Sequence, residues 1–312
     1  MCLVCDYDEK KVSLEALQDL TELNCHGCKK VTTIPFIWRL EILICSYCTG
    51  LTSIPILPYL KIFKSHCCKY LTDIPFLPQL ETLICDYCTG LTSIPNLPRL
   101  KILKCRDCKN LSTIPDFVKL QQLCCGGSPL QTLPPLLQLI ILNCSACRKL
   151  KDLPNFPQLK ILDCSRCPLH ALPTFPKLQE LNCGGCRIQT LPHFPHLRTL
   201  SCNGCINLTS ISLLPHLKTL YCNGCLCLTT LFSVPQLQHL SCKGCLWLSH
   251  RKNPNYQENI QKLVILQQWC RENNQYWRFK RWLGTEEFAR FFYAPDQLGG
   301  RLIKNNLATI FQ

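Results

Sequence analysis

The stretch LETLICDYCTGLTSIPNLPR, residues 80–99, is one copy of a unit that the chain repeats twelve times. Each copy begins with L-x-x-L-x-C-x-x-C, with a few substitutions, and continues with a short apolar stretch that usually contains proline. The first leucines of the copies are Leu20, Leu40, Leu60, Leu80, Leu100, Leu120, Leu139, Leu159, Leu178, Leu197, Leu217 and Leu237. They lie 19 or 20 residues apart, a period typical of stacked coils in a solenoid. Because such a stack exposes one long face, the repeat favours the binding of another macromolecule.

The structure of one coil can be predicted from the same stretch. Residues 82–84 are expected to form a short strand with Leu83 inward and its neighbours outward, because side chains alternate between the two faces of a strand. Pro95 and Pro98 hold φ at about −65° and remove backbone donors, so the return path is predicted to be extended. A coil of this length leaves too little chain for a full helix after the strand.

The repeat unit as a whole resembles a known pattern. Its second leucine is replaced only at Phe63, and I-P or L-P follows in the second half of most copies. This is similar to leucine-rich repeats, in particular the short proline-marked repeats of bacterial effector proteins. The resemblance covers about residues 1–250. It implies a horseshoe-shaped solenoid with a parallel β-sheet on its concave face, a largely helix-free convex side, and an N-terminal half-coil before twelve coils of 19–20 residues.

The 28 cysteines allow two interpretations. The spacing C-x2-C-x16-C-x2-C over residues 25–48 matches a four-cysteine zinc pattern, so a zinc-binding array that binds nucleic acid is one alternative. However, Ser65 and Ser128 replace cysteines at two places where the leucine frame continues unaltered. Free cysteine behaves as a small buried hydrophobe with a weak S–H donor. We therefore predict thiols that line the core, with no metal and no cofactor.

The outward strand positions and the loop after each strand are predicted to carry a binding surface. A row of outward isoleucines indicates a protein interface, because large apolar patches often mark such sites; the β-propensity of isoleucine is the alternative explanation. Bulky side chains occupy the loop in the early coils, whereas glycines occupy it from Gly185 onward. The predicted partner-binding residues are Ile42, Ile44, Tyr47, Ile62, His66, Ile84, Tyr87, Ile102, Arg106, Ile141 and Ile161.

Composition and charge indicate where the protein acts. The N-terminus MCLVCDYDEKK lacks the apolar run of a signal peptide. No stretch has the roughly 20 apolar residues that a membrane span needs. Lys and Arg number 34 against 20 acids, for a net charge of +14. Since free thiols persist in a reducing compartment, we expect a soluble cytoplasmic protein with no membrane partner.

The last part of the chain, residues 251–312, loses the repeat and is predicted to form a short helical tail that caps the last coil. Two other roles are alternatives for the tail. One is a docking module, and the other is a segment that contacts phosphate through the basic and aromatic run 276–282. The tail resembles the C-terminal segments of repeat proteins from giant DNA viruses of amoebae, which implies a viral protein made in host cytoplasm. The residues that carry this resemblance are Trp282, Glu287, Phe288, Phe292, Tyr293, Pro295, Gly299, Gly300 and Lys304.

The sequence shows no constellation of catalytic residues. Its 8 histidines are scattered, and none has a cysteine or acid partner at a spacing that would serve a nucleophile. We therefore predict a non-catalytic scaffold that holds a host or viral protein on the concave face. A substrate adaptor for a host ubiquitin ligase is a further alternative, and nucleic acid is disfavoured as a partner.

Overall fold

The computed structural model describes residues 4 and 13 and residues 17–212, 214–228, 230–231 and 236–245. Most of the predicted N-terminal half-coil lies outside these residues, and so do the predicted tail, residues 251–312, and its boundary near residue 250. The chain divides into two compact units, Met1–Leu169 and His170–Gln312. Each unit is a stack of coils, and each is described separately below.

The described part of the first unit contains eight strands of three residues, one in each coil. They are β1 (Glu22–Asn24), β2 (Ile42–Ile44), β3 (Ile62–Lys64), β4 (Thr82–Ile84), β5 (Ile102–Lys104), β6 (Gln122–Cys124), β7 (Ile141–Asn143) and β8 (Ile161–Asp163). Consecutive strands pair in parallel and in step, so that Leu83 lies opposite Leu103. The middle residue of every strand is buried and the first residue is partly or fully exposed. The predicted parallel sheet is confirmed.

The second unit has two kinds of strand. They are β9 (Glu180–Asn182), β10 (Thr199–Ser201), β11 (Ser210–Ile211), β12 (Thr219–Tyr221), β13 (Thr230–Leu231) and β14 (His239–Ser241). Strands β9, β10, β12 and β14 pair in parallel, whereas β11 and β13 form a separate two-stranded sheet. This small sheet coincides with a loss of proline, and coils that keep proline form only single bridges at the same place, such as Thr33 with Ser53. Earlier coils have proline at the positions of Ser212 and Phe232, and proline has no N–H for a ladder.

Tight turns form the corners of each coil. Cys48 N donates to Cys45 O at 3.2 Å, Leu51 N to Cys48 O at 3.1 Å, and Leu60 N to Leu57 O at 3.2 Å. The residues at these corners are buried, so the turns hold the apolar frame inward. Over residues 21–212 the chain between strands is extended or turning and contains no helix, as predicted. Within the described segments, no helix combines the length and apolar character that a bilayer crossing requires.

The thiols form a hydrogen-bonded ladder inside the stack. The second cysteine of a coil donates its S–H to the carbonyl at the first cysteine position of the preceding coil, as Cys108 Sγ does to Cys85 O at 3.1 Å. Ser128 Oγ makes the same bond to Cys105 O at 2.9 Å. The equivalent pairs are Cys48 to Cys25, Cys68 to Cys45, Cys88 to Ser65, Cys147 to Cys125, Cys167 to Cys144, Cys205 to Cys183, Cys225 to Cys202 and Cys245 to Cys222. The prediction that thiols line the core is confirmed.

This ladder predicts an ordering of substitutions at Cys108. Cys108→Ser keeps a donor for Cys85 O, as Ser128 does naturally, so we expect a loss of at most about 1 kcal/mol. Cys108→Val leaves the buried carbonyl without its donor, so we expect a loss of about 1–3 kcal/mol. Urea unfolding of the full chain measures both values. Equal losses would contradict the ladder and would fit removal of a metal ligand, because serine and valine both fail to replace a zinc-bound thiolate.

Candidate functional site

The predicted isoleucines lie in two rows on the outward face of the first unit, which we call the strand face. The first row follows the first residue of each strand, and its register is Ile42, Ile62, Thr82, Ile102, Gln122, Ile141 and Ile161. The second row follows the third residue of each strand and contains Ile44, Lys64, Ile84 and Lys104. The structure therefore brings these predicted residues onto one surface.

These isoleucines are less exposed than the sequence suggested. All of them are half-buried, because strands about 4.8 Å apart let each side chain shield its neighbours. Thr82 and Gln122 also interrupt the first row. The apolar surface is consequently a set of short patches, of which the adjacent Ile42 and Ile62 form one.

The turn between the two cysteine positions has a conformation that the sequence did not reveal. The second residue of this turn has positive φ in both units, in the left-handed region that favours glycine. In the first unit it is Gly27, Tyr47, Cys67, Tyr87, Asp107, Gly127, Ala146 and Arg166; in the second it is Gly185, Gly204, Gly224 and Gly244. The glycines that recur at this position in the second unit are the feature of the sequence that indicates a positive φ. Tyr47 and Tyr87 thus occupy positions where glycine would avoid backbone strain.

Four rings from successive coils form an aromatic ladder in the first unit, consisting of His26, Tyr47, His66 and Tyr87. The ring centroids are 5.3 Å apart for His26 and Tyr47, 5.2 Å for Tyr47 and His66, and 5.3 Å for His66 and Tyr87. The two tyrosines are each 46% exposed. Three predicted residues, Tyr47, His66 and Tyr87, therefore share one surface, and His26 joins them.

A buried carboxylate supports the end of this ladder. Asp86 Oδ1 accepts a hydrogen bond from Arg106 N at 2.7 Å, and Asp86 Oδ2 lies 4.0 Å from His66 Nδ1. Tyr87 N donates to Arg106 O at 2.7 Å. These two hydrogen bonds fix the backbone of Arg106 next to Tyr87, while its side chain is exposed.

Later coils use the third strand position for a different purpose. Asn143, Asp163 and Asn182 each accept a hydrogen bond from the backbone N–H two residues further on, at 3.2, 3.1 and 3.2 Å. These side chains stabilise their own turns, as Asx turns do. Asn24 does the same in the first coil, where it accepts from His26 N at 3.0 Å. Ile44, Lys64, Ile84 and Lys104 occupy the equivalent place in the next four coils and leave the strand face free for contact.

A second apolar surface was missed by the sequence analysis. Phe36, Ile56 and Phe76 occur every 20 residues after Ile-Pro and are 52%, 58% and 53% exposed. The exposed Trp38 is two residues after Phe36, and the Arg39 guanidinium is 4.9 Å from its ring. We call Phe36, Trp38, Ile56 and Phe76 the proline-side surface. Their fixed spacing is visible in the sequence. The row ends after Phe76, because Asn96 and Asp116 occupy the same position in the next two coils.

The buried Cys105 thiol is a packing group and not a reactive one. Burial raises the pKa of Cys105 well above its ordinary value, so the thiol stays protonated and serves as a packing group. Within the described part of the chain, no group of three or more His, Cys, Asp or Glu side chains is arranged to hold a metal ion. Metal analysis of the purified protein tests the predicted absence of zinc.

The coil geometry decides the architecture. Coils of 19 or 20 residues each contribute one short parallel strand and a buried frame of leucines with L-x-x-L-x-C spacing. This is the leucine-rich repeat fold. No protein-family model matches the sequence, and no curated protein is similar to it in sequence.

Several solved structures are similar to this leucine-rich repeat chain. A leucine-rich repeat protein from Bacteroides ovatus has 17% identity over 74% of this chain and 81% of that one, with a TM-score of 0.44. YopM, described as a leucine-rich effector protein, from Yersinia pestis has 21% identity over 76% and 84%, with a TM-score of 0.46. YopM from Yersinia enterocolitica has 22% identity over 73% and 66%, with a TM-score of 0.33.

Proposed function

We propose that the first unit is a non-catalytic scaffold that binds a protein partner through its strand face and aromatic ladder. The observation that carries this proposal is the left-handed backbone of Tyr47 and Tyr87, with φ of 63° and 61°. An L-residue in this conformation costs about 1–2 kcal/mol relative to its ordinary conformations. The second unit makes the same turn with glycine, so the fold itself does not require tyrosine. Backbone strain of this kind clusters at functional sites. Cys67, Asp107, Ala146 and Arg166 share the conformation, so the tyrosines are singled out by strain together with their exposed, contacting rings.

The chemistry of the surface fits a protein interface. Tyrosine is enriched at binding hot spots because its ring supplies a large contact area with few torsions to immobilise. Beside the ladder, Lys64, Lys104 and Arg106 add positive charge to the apolar patches of the strand face. The partner is therefore a protein surface that combines apolar side chains with carboxylates. The proposed setting is host cytoplasm, with the chain as a viral factor, and it rests on the resemblance of the tail sequence.

The two apolar surfaces provide a matched test. Full-length wild type, Ile42→Asp with Ile62→Asp, and Ile56→Asp with Phe76→Asp serve as baits in cell lysate, and captured proteins are quantified by mass spectrometry. Ile42 and Ile62 are opposite each other on the strand face, whereas Ile56 and Phe76 lie on the proline-side surface. We expect a partner held by wild type to be lost from the first variant and kept by the second. Circular dichroism verifies that each bait is folded.

The reverse pattern would move the interface to the proline-side surface and contradict the proposal. Because Ile42 and Ile62 are half-buried, Ile42→Ala with Ile62→Ala provides a milder variant in case the aspartates destabilise the fold. This variant should also weaken capture, since it removes the same apolar contact area.

A further inference from the structure

The second unit contains a polar pocket, whereas the proposed partner surface belongs to the first unit. Its volume is about 290 Å³, and its lining consists of Gln179, His196, Arg198, His216, Lys218 and Gln236. None of these side chains is apolar and none is acidic. The lining therefore consists of guanidinium, ammonium, imidazole and amide groups, of which the cations are donors only.

Coil stacking builds this pocket from two parallel rows of side chains. Arg198 N donates to Gln179 O, and Lys218 N donates to Arg198 O, both at 2.8 Å, so these three residues form one row. His196, His216 and Gln236 form the other row, in which Gln236 Nε2 and His216 Nδ1 are 3.5 Å apart. The buried Leu197 and Leu217 lie between the rows in sequence and fix both to the core.

In the same row of the first unit, two of the three lysines, Lys61 and Lys101, are neutralised by an acid in the preceding coil, whereas Lys160 has no such ion pair within the described part of the chain. There Lys61 Nζ is 2.8 Å from Glu41 Oε2, and Lys101 Nζ is 2.8 Å from Glu81 Oε2. The donation from Lys101 lowers the pKa of Glu81 from its ordinary value. Arg198 and Lys218 have no such partner among the described residues, because Gln179 and Gln238 are the residues that flank this pair in the row.

The described sequence around the pocket is rich in cations and poor in acids. Residues 170–245 contain a single acid, Glu180, against Lys177, Arg187, Arg198, Lys218 and Lys243. Glu180 follows Gln179 in the chain, but it lies opposite Thr199 in the sheet and is not part of the lining. Two adjacent cations without carboxylates therefore repel each other, and an anion placed between the rows would relieve that repulsion.

We propose that this pocket binds a phosphate monoester. A phosphate group carries close to two negative charges and several acceptor oxygens, so donors from both rows can share it. A planar carboxylate would satisfy one guanidinium and leave the opposite row unused. The small volume and the lack of apolar walls select a compact polar ligand and disfavour an aromatic one. The phosphate could belong to a free metabolite or to a phosphorylated side chain of another protein.

Calorimetric titration of the full chain tests this proposal at about 0.15 M ionic strength, where long-range attraction is screened. Ribose 5-phosphate represents the metabolite and a short phosphoserine peptide represents the protein side chain. At least one of them should bind saturably with a dissociation constant of about 1 mM or lower. The tighter of the two identifies the source, whereas no binding of either up to about 10 mM would overturn the proposal.

Two matched double variants separate a site from general positive charge. Arg198→Gln with Lys218→Gln should weaken binding by at least about 10-fold, since both charge-assisted donors are lost. Lys61→Gln with Lys101→Gln removes the same charge from the equivalent row of the first unit and should leave affinity unchanged. Equal weakening in both variants would overturn the proposal. Lys218→Glu, a single exposed change, should abolish binding and serves if the double variant folds poorly.

Discussion

Replacing Tyr47 and Tyr87 together by glycine should weaken partner binding by at least about 100-fold while the chain stays folded. Each ring is a half-exposed member of the aromatic ladder, and hot-spot tyrosines contribute about 2 kcal/mol or more each when truncated. The two turns already have the backbone that glycine prefers, with φ of 63° and 61°. The stability gained by relieving this backbone strain therefore offsets part of the stability lost when the packing of the rings is removed.

A matched alanine variant isolates the backbone contribution. Tyr47→Ala with Tyr87→Ala removes the same rings but keeps a Cβ in the left-handed region, so it should be less stable than the glycine variant by about 1 kcal/mol per site. Affinity for the captured partner and urea unfolding, measured on both double variants, provide the two readouts. If the glycine variant still bound the partner, the aromatic ladder would not be part of the interface. Greater stability of the alanine variant would contradict the strain on which the proposal depends.

Phe63→Ala should destabilise the chain by about 3–5 kcal/mol, because Phe63 is fully buried and the surrounding coils cannot close the cavity. Its neighbours in the sheet are Leu43 and Leu83, in the coils on either side. Since coils in a solenoid are stabilised mainly by their nearest neighbours, the loss should extend to strands β2 and β4. Urea unfolding measures the size of the loss, and hydrogen exchange measures its extent along the chain.

The repeat provides its own control for this change. Every other copy has leucine at the position of Phe63, so Phe63→Leu places a residue that the frame accepts and should cost about 1 kcal/mol. The adjacent inward position holds Ser65 where most copies have cysteine, so the larger ring accompanies a smaller neighbour. A loss below about 1 kcal/mol for Phe63→Ala would show that this coil packs loosely, contrary to the burial observed.

The coil could be predicted because its information is local. Alternation around Leu83 identified the strand and its buried residue, and Pro95 identified the extended return. The coil that contains Ser212 has a feature that local sequence information did not predict. The missing proline was visible in the sequence, but the second sheet formed by β11 and β13 depends on two coils stacking with free N–H groups.

The candidate site was predicted less completely for a similar reason. Tyr47, His66 and Tyr87 are recognisable in the sequence as bulky loop residues, but the contact between their rings is visible only in the structure. Tyr47 and His66 occupy different positions within their turns, and only the stacking of coils brings them within 5.2 Å. The isoleucines were placed on the correct face, but their half-burial depends on neighbouring strands.

The sequence by itself determined the coil period, the strand positions and the buried frame, because each depends on apolar residues at fixed short spacing along one chain segment. The tertiary structure alone decided which side chains from different coils meet: the thiol ladder, the aromatic ladder, the pairs of Glu41 with Lys61 and Glu81 with Lys101, and the unneutralised Arg198 and Lys218. These contacts join residues about one coil apart, and their distances are set by how the coils stack.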